Sequence, residues 1–161
     1  MSPHEEHRLG IEAPHGHLYQ LASMIIFTLV WILDSFVFSF SIFLNRLIPL
    51  LVRLVIFIII IAIAYVLIYI SHNVLFKTPE NKDDLITEGI FKHVRHPMYL
   101  GVLLIYLSLN FLSISLISIV IWLIVFVIYD QLATYEENQL EKLFNEKYLQ
   151  YKEEVPKWIP R

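Results

Sequence analysis

Arg95-His96-Pro97-Met98-Tyr99-Leu100-Gly101 sets an arginine, a histidine and a tyrosine directly against a long apolar run, and that run ends at Tyr135-Glu136-Glu137. Cationic or titratable groups at one end of a hairpin and two carboxylates at the other can hold a polar ligand between them. Pro97 suits the first turn of a helix, where its missing N–H costs nothing. His93 to His96 then precede a helix N-terminus, whose outward N–H groups suit a carboxylate. Tyr99 follows two residues into that helix, and Gly101 permits close approach of another helix or a flat ring. Glu136 and Glu137 project about 100° apart on a helix, so at most one is expected to face inward. A carboxylate there can accept both hydroxyls of a ribose or balance a cationic ligand. On residue types alone, an interhelical ion-pair cluster of Arg95, His96 and the glutamates explains the pattern equally well.

The elements that position these residues belong in lipid. The chain has 161 residues, 57% of them hydrophobic, and a mean hydropathy of +0.63; both lie outside the soluble-globular range. Leu18–Leu44 and Leu50–Ile70 are each long enough, at about 1.5 Å per residue, to cross a hydrocarbon layer of about 30 Å. Met98–Leu132 is longer and carries Leu109-Asn110-Phe111-Leu112-Ser113 in its first third. One straight helix would overshoot, so a hairpin is expected, with arms near Pro97–Leu109 and from Ser113 into the Glu136 region. The fold class is therefore all-α and integral to the membrane, with about four transmembrane helices, the last two a hairpin. A cytoplasmic amphipathic C-terminal helix follows. Its apolar positions are Leu140, Leu143, Phe144, Tyr148 and Tyr151, Pro156 ends it, and Trp158-Ile159-Pro160 suggests an interfacial anchor. Met1–His17 reads as a flexible cytoplasmic tail and 18–161 as a single membrane domain.

Basic residues orient the chain. Arg8, then Lys77, Lys82, Lys92 and Arg95, then Lys142, Lys147, Lys152, Lys157 and Arg161 fall on one side of the predicted spans. Arg46 and Arg53 alone fall in or at the edge of the turn between the first two. The positive-inside rule makes the first side cytoplasmic, which puts the motif and the glutamate pair together there. Asp34, in the middle of the first span, is costly without a partner and so marks a functional candidate; Ser35, Ser39 or a backbone kink would satisfy it instead. The chain has no cysteine, which excludes disulfides, thiolate metal sites and cysteine nucleophiles. His4-Glu5-Glu6-His7 is not the zinc-protease spacing, and no metal site is expected. Four glycines and no G-x-G-x-x-G exclude a Rossmann or P-loop cofactor turn. Nothing suggests nucleic acid, and the oligomeric state is not legible.

Several spaced elements occur in order: Leu85-Ile86-Thr87-Glu88-Gly89-Ile90-Phe91-Lys92-His93-Val94 leading into Arg95–Gly101, Glu136-Glu137-x-x-Leu140, Phe144-x-x-x-Tyr148-x-x-Tyr151, and Val155-Pro156-x-Trp158-Ile159-Pro160. Over roughly its C-terminal half the chain resembles the isoprenylcysteine carboxyl methyltransferase and phospholipid N-methyltransferase superfamily. That resemblance implies S-adenosylmethionine held in a membrane pocket closed by the hairpin and the C-terminal helix. Lys92, Val94, His96, Tyr99, Leu100, Glu136 and Glu137 would bind the cofactor, and Glu137, Arg95 and His93 would serve catalysis. A lipophilic acceptor, foremost the carboxylate of an isoprenylcysteine-like molecule, would enter from the bilayer; a phospholipid amine or a small thiol is the alternative. The family usually has Pro and Tyr where this chain has Ile90 and His93. A sterol-reductase-like NADPH enzyme shares a related C-terminal fold, but its Arg-His-Pro-Asn-Tyr-Phe-Gly-Glu motif is broken here by Met98, Leu100 and Val102. A non-catalytic scaffold is the remaining reading, opposed by the intact Arg-His-Pro and Glu-Glu elements.

Overall fold

The computed structural model describes residues 13–77 and 85–159. Five α-helices carry them: α1 (Gly16–Ile32), α2 (Leu50–Lys77), α3 (Pro97–Leu112), α4 (Leu116–Phe144) and α5 (Glu146–Glu154). Short 3-10 turns occupy Phe43–Arg46 and Gly89–Lys92. Among the described residues, three stretches are long and apolar enough to cross a membrane: Gly16–Phe38, Leu50–Leu75 and Leu116–Phe144. Pro97–Leu112 is apolar but shorter. Only 6% of the apolar window of α2 is buried, as expected of a helix that turns most of its surface to lipid. The tail expected at Met1–His17 lies outside the described residues up to position 12, and α1 begins before Leu18, at Gly16. Residues 78–84 also lie outside them, as do Pro160 and Arg161.

The core joins α1, α3 and α4 through Phe27, Trp31, Leu103, Tyr106, Val125 and Tyr129. Two indole N–H groups fix the helices axially: Trp31 donates to the Leu109 carbonyl at 3.0 Å and Trp122 to that of Leu103 at 2.9 Å. Helix α2 lies along α3 as its most extensive partner. Gly101 makes this approach possible. A Cβ there would stand 2.6 Å from Ile68 Cγ1 and 3.0 Å from the Ala64 carbonyl oxygen. Of the two uses open to Gly101, this structure shows helix approach. Helix α2 also outruns its expected end at Ile70. Ser71, buried, returns its hydroxyl to the Leu67 carbonyl of its own helix at 2.5 Å, so this polar residue does not stop the helix.

The first predicted span ends sooner than Leu44. After Ile32 the helix widens into a π-helical stretch, Leu33–Phe38, and stops at Ser39, which adopts the left-handed conformation with φ 56°. Asp34 is the cause. Its carboxylate accepts the Ser41 N–H at 3.1 Å, the Ser41 hydroxyl, and the Ser115 hydroxyl at 2.5 Å. The chain must fold back to bring Ser41 there. Ser35, expected as a partner of Asp34, instead meets Ser113 at 2.5 Å. The hairpin turn Ser113–Ser115 is therefore knotted to the end of the first span. The N-cap of α4 is Ser115, which accepts from the Ser118 N–H at 3.1 Å.

The last helix also differs from expectation. Leu140 to Tyr151 do not lie on one helix, because the chain breaks at Asn145 (φ 48°, ψ −125°) between α4 and α5. The break lets α5 fold back. Tyr148 and Tyr151 then bury against Leu85 and Val155, with Leu140 and Phe144 packed alongside.

Candidate active site

The Arg95–Gly101 motif and the glutamate pair meet. Pro97 opens α3, which leaves His96 as its N-cap residue, and Glu137 lies on the buried face of α4 at 4% exposure. Arg95 Nε donates to Glu137 Oε1 at 2.9 Å, and His96 Nε2 lies 3.0 Å from the same oxygen. An ionised carboxylate only accepts, so His96 carries its proton on Nε2. Beside this pair Tyr99 donates to Glu136, whose second oxygen is 3.9 Å from His96 Nδ1. Both glutamates thus turn toward α3, against the expectation that one at most would. Arg95, His96 and Tyr99 present donors across more than one helix face, wide enough to meet two adjacent positions of α4.

Arg95 is the hub of a second set of bonds. Its Nη1 donates to the Lys152 carbonyl at 2.9 Å and to that of Val155, and its backbone N–H donates to the Pro156 carbonyl at 3.0 Å. Lys152 and Val155 stand at the C-terminal end of α5, where carbonyls lack helical partners and a cation is favoured. One guanidinium therefore neutralises Glu137 and caps α5. Tyr151 adds a bond to the Phe91 carbonyl at 2.7 Å, fastening α5 to the Gly89–Lys92 turn. Burial pushes the phenol of Tyr148 up and that of Tyr151 up to about 12, so both remain neutral donors at physiological pH.

Aromatic faces line the cluster. The His96 and Tyr99 rings stack at 5.8 Å, Tyr129 meets Tyr99 edge-on at 5.4 Å, and Trp158 lies 5.9 Å from His96. Trp158 is accordingly not the interfacial anchor expected of it. Its indole packs on Phe126 at 5.5 Å and donates to Asp130 at 2.7 Å, while Ile159 remains exposed. Burial holds the His96 imidazole below the usual histidine range, opposed by its hydrogen bond to Glu137 and that carboxylate's charge. The nearby cations Lys157 and Arg95 push it the same way as burial. His96 is neutral at pH 7.

The other predicted residues divide. Val94 is fully buried, and Leu100 is half-buried on α3. Lys92 and His93 are exposed at the end of the 3-10 turn, and Lys92 lines an open cleft of about 450 Å³ with Thr87, Tyr151, Glu154 and Val155. Gly89 opens that turn at φ 58°. With Ile90 in the usual proline position the turn is held by bonds from the His93 and Val94 N–H groups to the Ile90 carbonyl, at 3.0 and 3.3 Å. Gln20, Tyr129, Asp130 and Lys157 escaped the sequence reading. Gln20 reaches Tyr99 at 3.3 Å from a helix 79 positions away, and no local spacing signals that. Asp130 was legible as an acid inside an apolar run.

The fold and this cluster are those of a multi-pass membrane protein with a buried polar mouth, and comparison with known proteins gives the family. The chain belongs to the phospholipid methyltransferase family, which it matches over residues 50–147. A protein-S-isoprenylcysteine O-methyltransferase of Schizosaccharomyces pombe is 40% identical over 96 residues, covering 56% of this chain and 38% of that protein. Protein-S-isoprenylcysteine O-methyltransferase B of Arabidopsis thaliana is 29% identical over 82 residues, covering 50% of this chain and 42% of that protein. The chain thus spans about two fifths of the length of these curated relatives. No solved structure matches it.

Proposed function

We propose that the chain is an S-adenosylmethionine-dependent methyltransferase whose acceptor is the carboxylate of an isoprenylcysteine-like lipid, with the site on the cytoplasmic side. The observation that carries the reading is the buried Arg95–Glu137–His96 cluster with Tyr99–Glu136 beside it, at the mouth of membrane helices and inside the family match. The donor set suits the cofactor: carboxylates for ribose hydroxyls or a cationic group, and the aromatic faces of His96, Tyr99 and Trp158 for a cation or a flat ring. Bound S-adenosylmethionine supplies a methyl on a positively charged sulfur.

The protein's part is positioning and desolvation. Arg95 fixes Glu137, Glu137 fixes the proton of His96 on Nε2, and Glu136 fixes Tyr99. Helix α5 and the 155–159 segment exclude water from above. A carboxylate acceptor is already ionised and needs no base. An amine acceptor must lose a proton, to His93 or to a glutamate; His93 stands exposed on the turn, and both glutamates are already engaged by Arg95, His96 and Tyr99, which favours the carboxylate. The names of both relatives point to the same acceptor.

Titration of the purified protein in detergent with S-adenosylmethionine, S-adenosylhomocysteine and NADPH tests the cofactor. Binding of both adenosyl ligands and not NADPH is expected; no adenosyl binding sinks the reading. Joint Glu136→Gln and Glu137→Gln substitution should abolish that binding with the helical content kept. Labelled methyl transfer to a farnesylated cysteine, compared with extracted lipids, decides the acceptor.

A further inference from the structure

We infer that Asp130 and Lys157 form a latch that holds the C-terminal strap, Val155–Ile159, against the site, and that Asp130 is a positioning residue acting through Trp158. This rests on the reading of the His96–Tyr99–Glu136–Glu137 cluster as the methyl-donor site. A single oxygen, Asp130 Oδ1, receives both strap side chains: Lys157 Nζ at 2.6 Å and Trp158 Nε1 at 2.7 Å. Lys157 also donates to the Asp130 carbonyl at 3.0 Å and to Thr134 Oγ1 at 2.7 Å. All three ammonium hydrogens are thereby used in holding the strap, which leaves none to recruit a substrate. The held indole lies against His96 and Phe126, forming the wall that faces the imidazole.

The depth of the pair is the second argument. Asp130 is seven residues before Glu137 on α4, about 10 Å further along the helix toward the bilayer interior. An ammonium drawn to that level is costly unless paired. With only the strap's own packing to gain, Lys157 would extend to the interface. Its insertion implies that the position of Trp158 matters more than the strap's mere attachment, which Arg95 already provides through the Val155 and Pro156 carbonyls.

Asp130→Leu is the informative variant, because leucine at a partly exposed position of an apolar helix costs the membrane fold nothing. Its thermal midpoint in detergent should stay at or above that of the wild type. Amide exchange of residues 155–159 in the ligand-free protein should accelerate, and S-adenosylhomocysteine should bind about ten- to hundredfold more weakly. Asp130→Asn, which keeps an acceptor for Trp158 without the charge, should fall between. If exchange of 155–159 is unchanged in Asp130→Leu, the latch is overturned. Faster exchange with unchanged affinity overturns the positioning role. If the wild type itself binds no adenosyl ligand, the donor-site reading fails, while the exchange measurement still decides the latch.

Discussion

Arg95 shows how one side chain can serve chemistry and architecture at once, and its loss separates the two. It is nearly buried, as is Glu137, and removing one member of such a pair strands the other charge at about 3–5 kcal/mol. Arg95→Met should therefore destabilise the protein by that order in detergent unfolding and free α5, whereas Arg95→Lys should recover part of the stability without the fork of contacts. His96 gives a pH signature. Its folded pKa is lowered, so the unfolded chain takes up a proton near pH 6.5 while the folded protein does not. Stability from this group is complete above about pH 6.5 and declines as pH falls toward the lowered folded value. Thermal midpoints measured between pH 7 and 5 should show that decline, and His96→Gln, which keeps an amide donor for Glu137, should flatten it. The motif was legible because charged and titratable groups set against an apolar run are costly without a partner or a role; the engagement of both glutamates was not, because it depends on the width of the opposing donor set.

Elements fail or hold at their ends. The hairpin was readable from Asn110–Ser113, but the turn's knot to Asp34 was not, since Ser41 and Ser115 reach that carboxylate only after the chain bends at Ser39. Asp34→Leu leaves the Ser41 N–H and two hydroxyls without their acceptor, a loss of about 1–3 kcal/mol for each group that stays buried. Ser115 and Glu137 are 22 positions apart on the α4 side, about 33 Å along the helix. The variant should lower the thermal midpoint and leave S-adenosylhomocysteine affinity unchanged; weakened binding would mean that the two ends are coupled. Gly101→Leu should likewise destabilise, because Ala64 offers backbone oxygen and not a movable side chain at 3.0 Å. Loss of the α2–α3 contact would appear in the unfolding midpoint.

At the scale of the molecule, the all-α membrane architecture was legible from length and hydropathy, because lipid leaves helices as the main solution for such a chain. The folding back of α5 was not, because the heptad-like apolar spacing runs unbroken across Asn145. Sidedness is a claim about the whole chain, and the absence of native cysteine makes it directly measurable. Single cysteines at Asn45 and at Lys147 should react with an impermeant thiol reagent from opposite faces of sealed vesicles, position 147 from the cytoplasmic face. Labelling of both from one side would overturn the proposed orientation.

The three bonds from Arg95 to carbonyls 152, 155 and 156 join positions 57 to 61 residues apart. Closing so long a loop is entropically slow relative to hairpin formation between neighbouring helices. The arginine and the glutamates therefore meet across neighbouring helices before Arg95 closes on the carbonyls it caps. Until then the mouth is a charged, half-satisfied opening at the bilayer edge. Closure by the C-terminal strap is then the last step, and a fusion or cut at residues 152–158 should arrest the protein one step short of a closed site, with its helices already inserted.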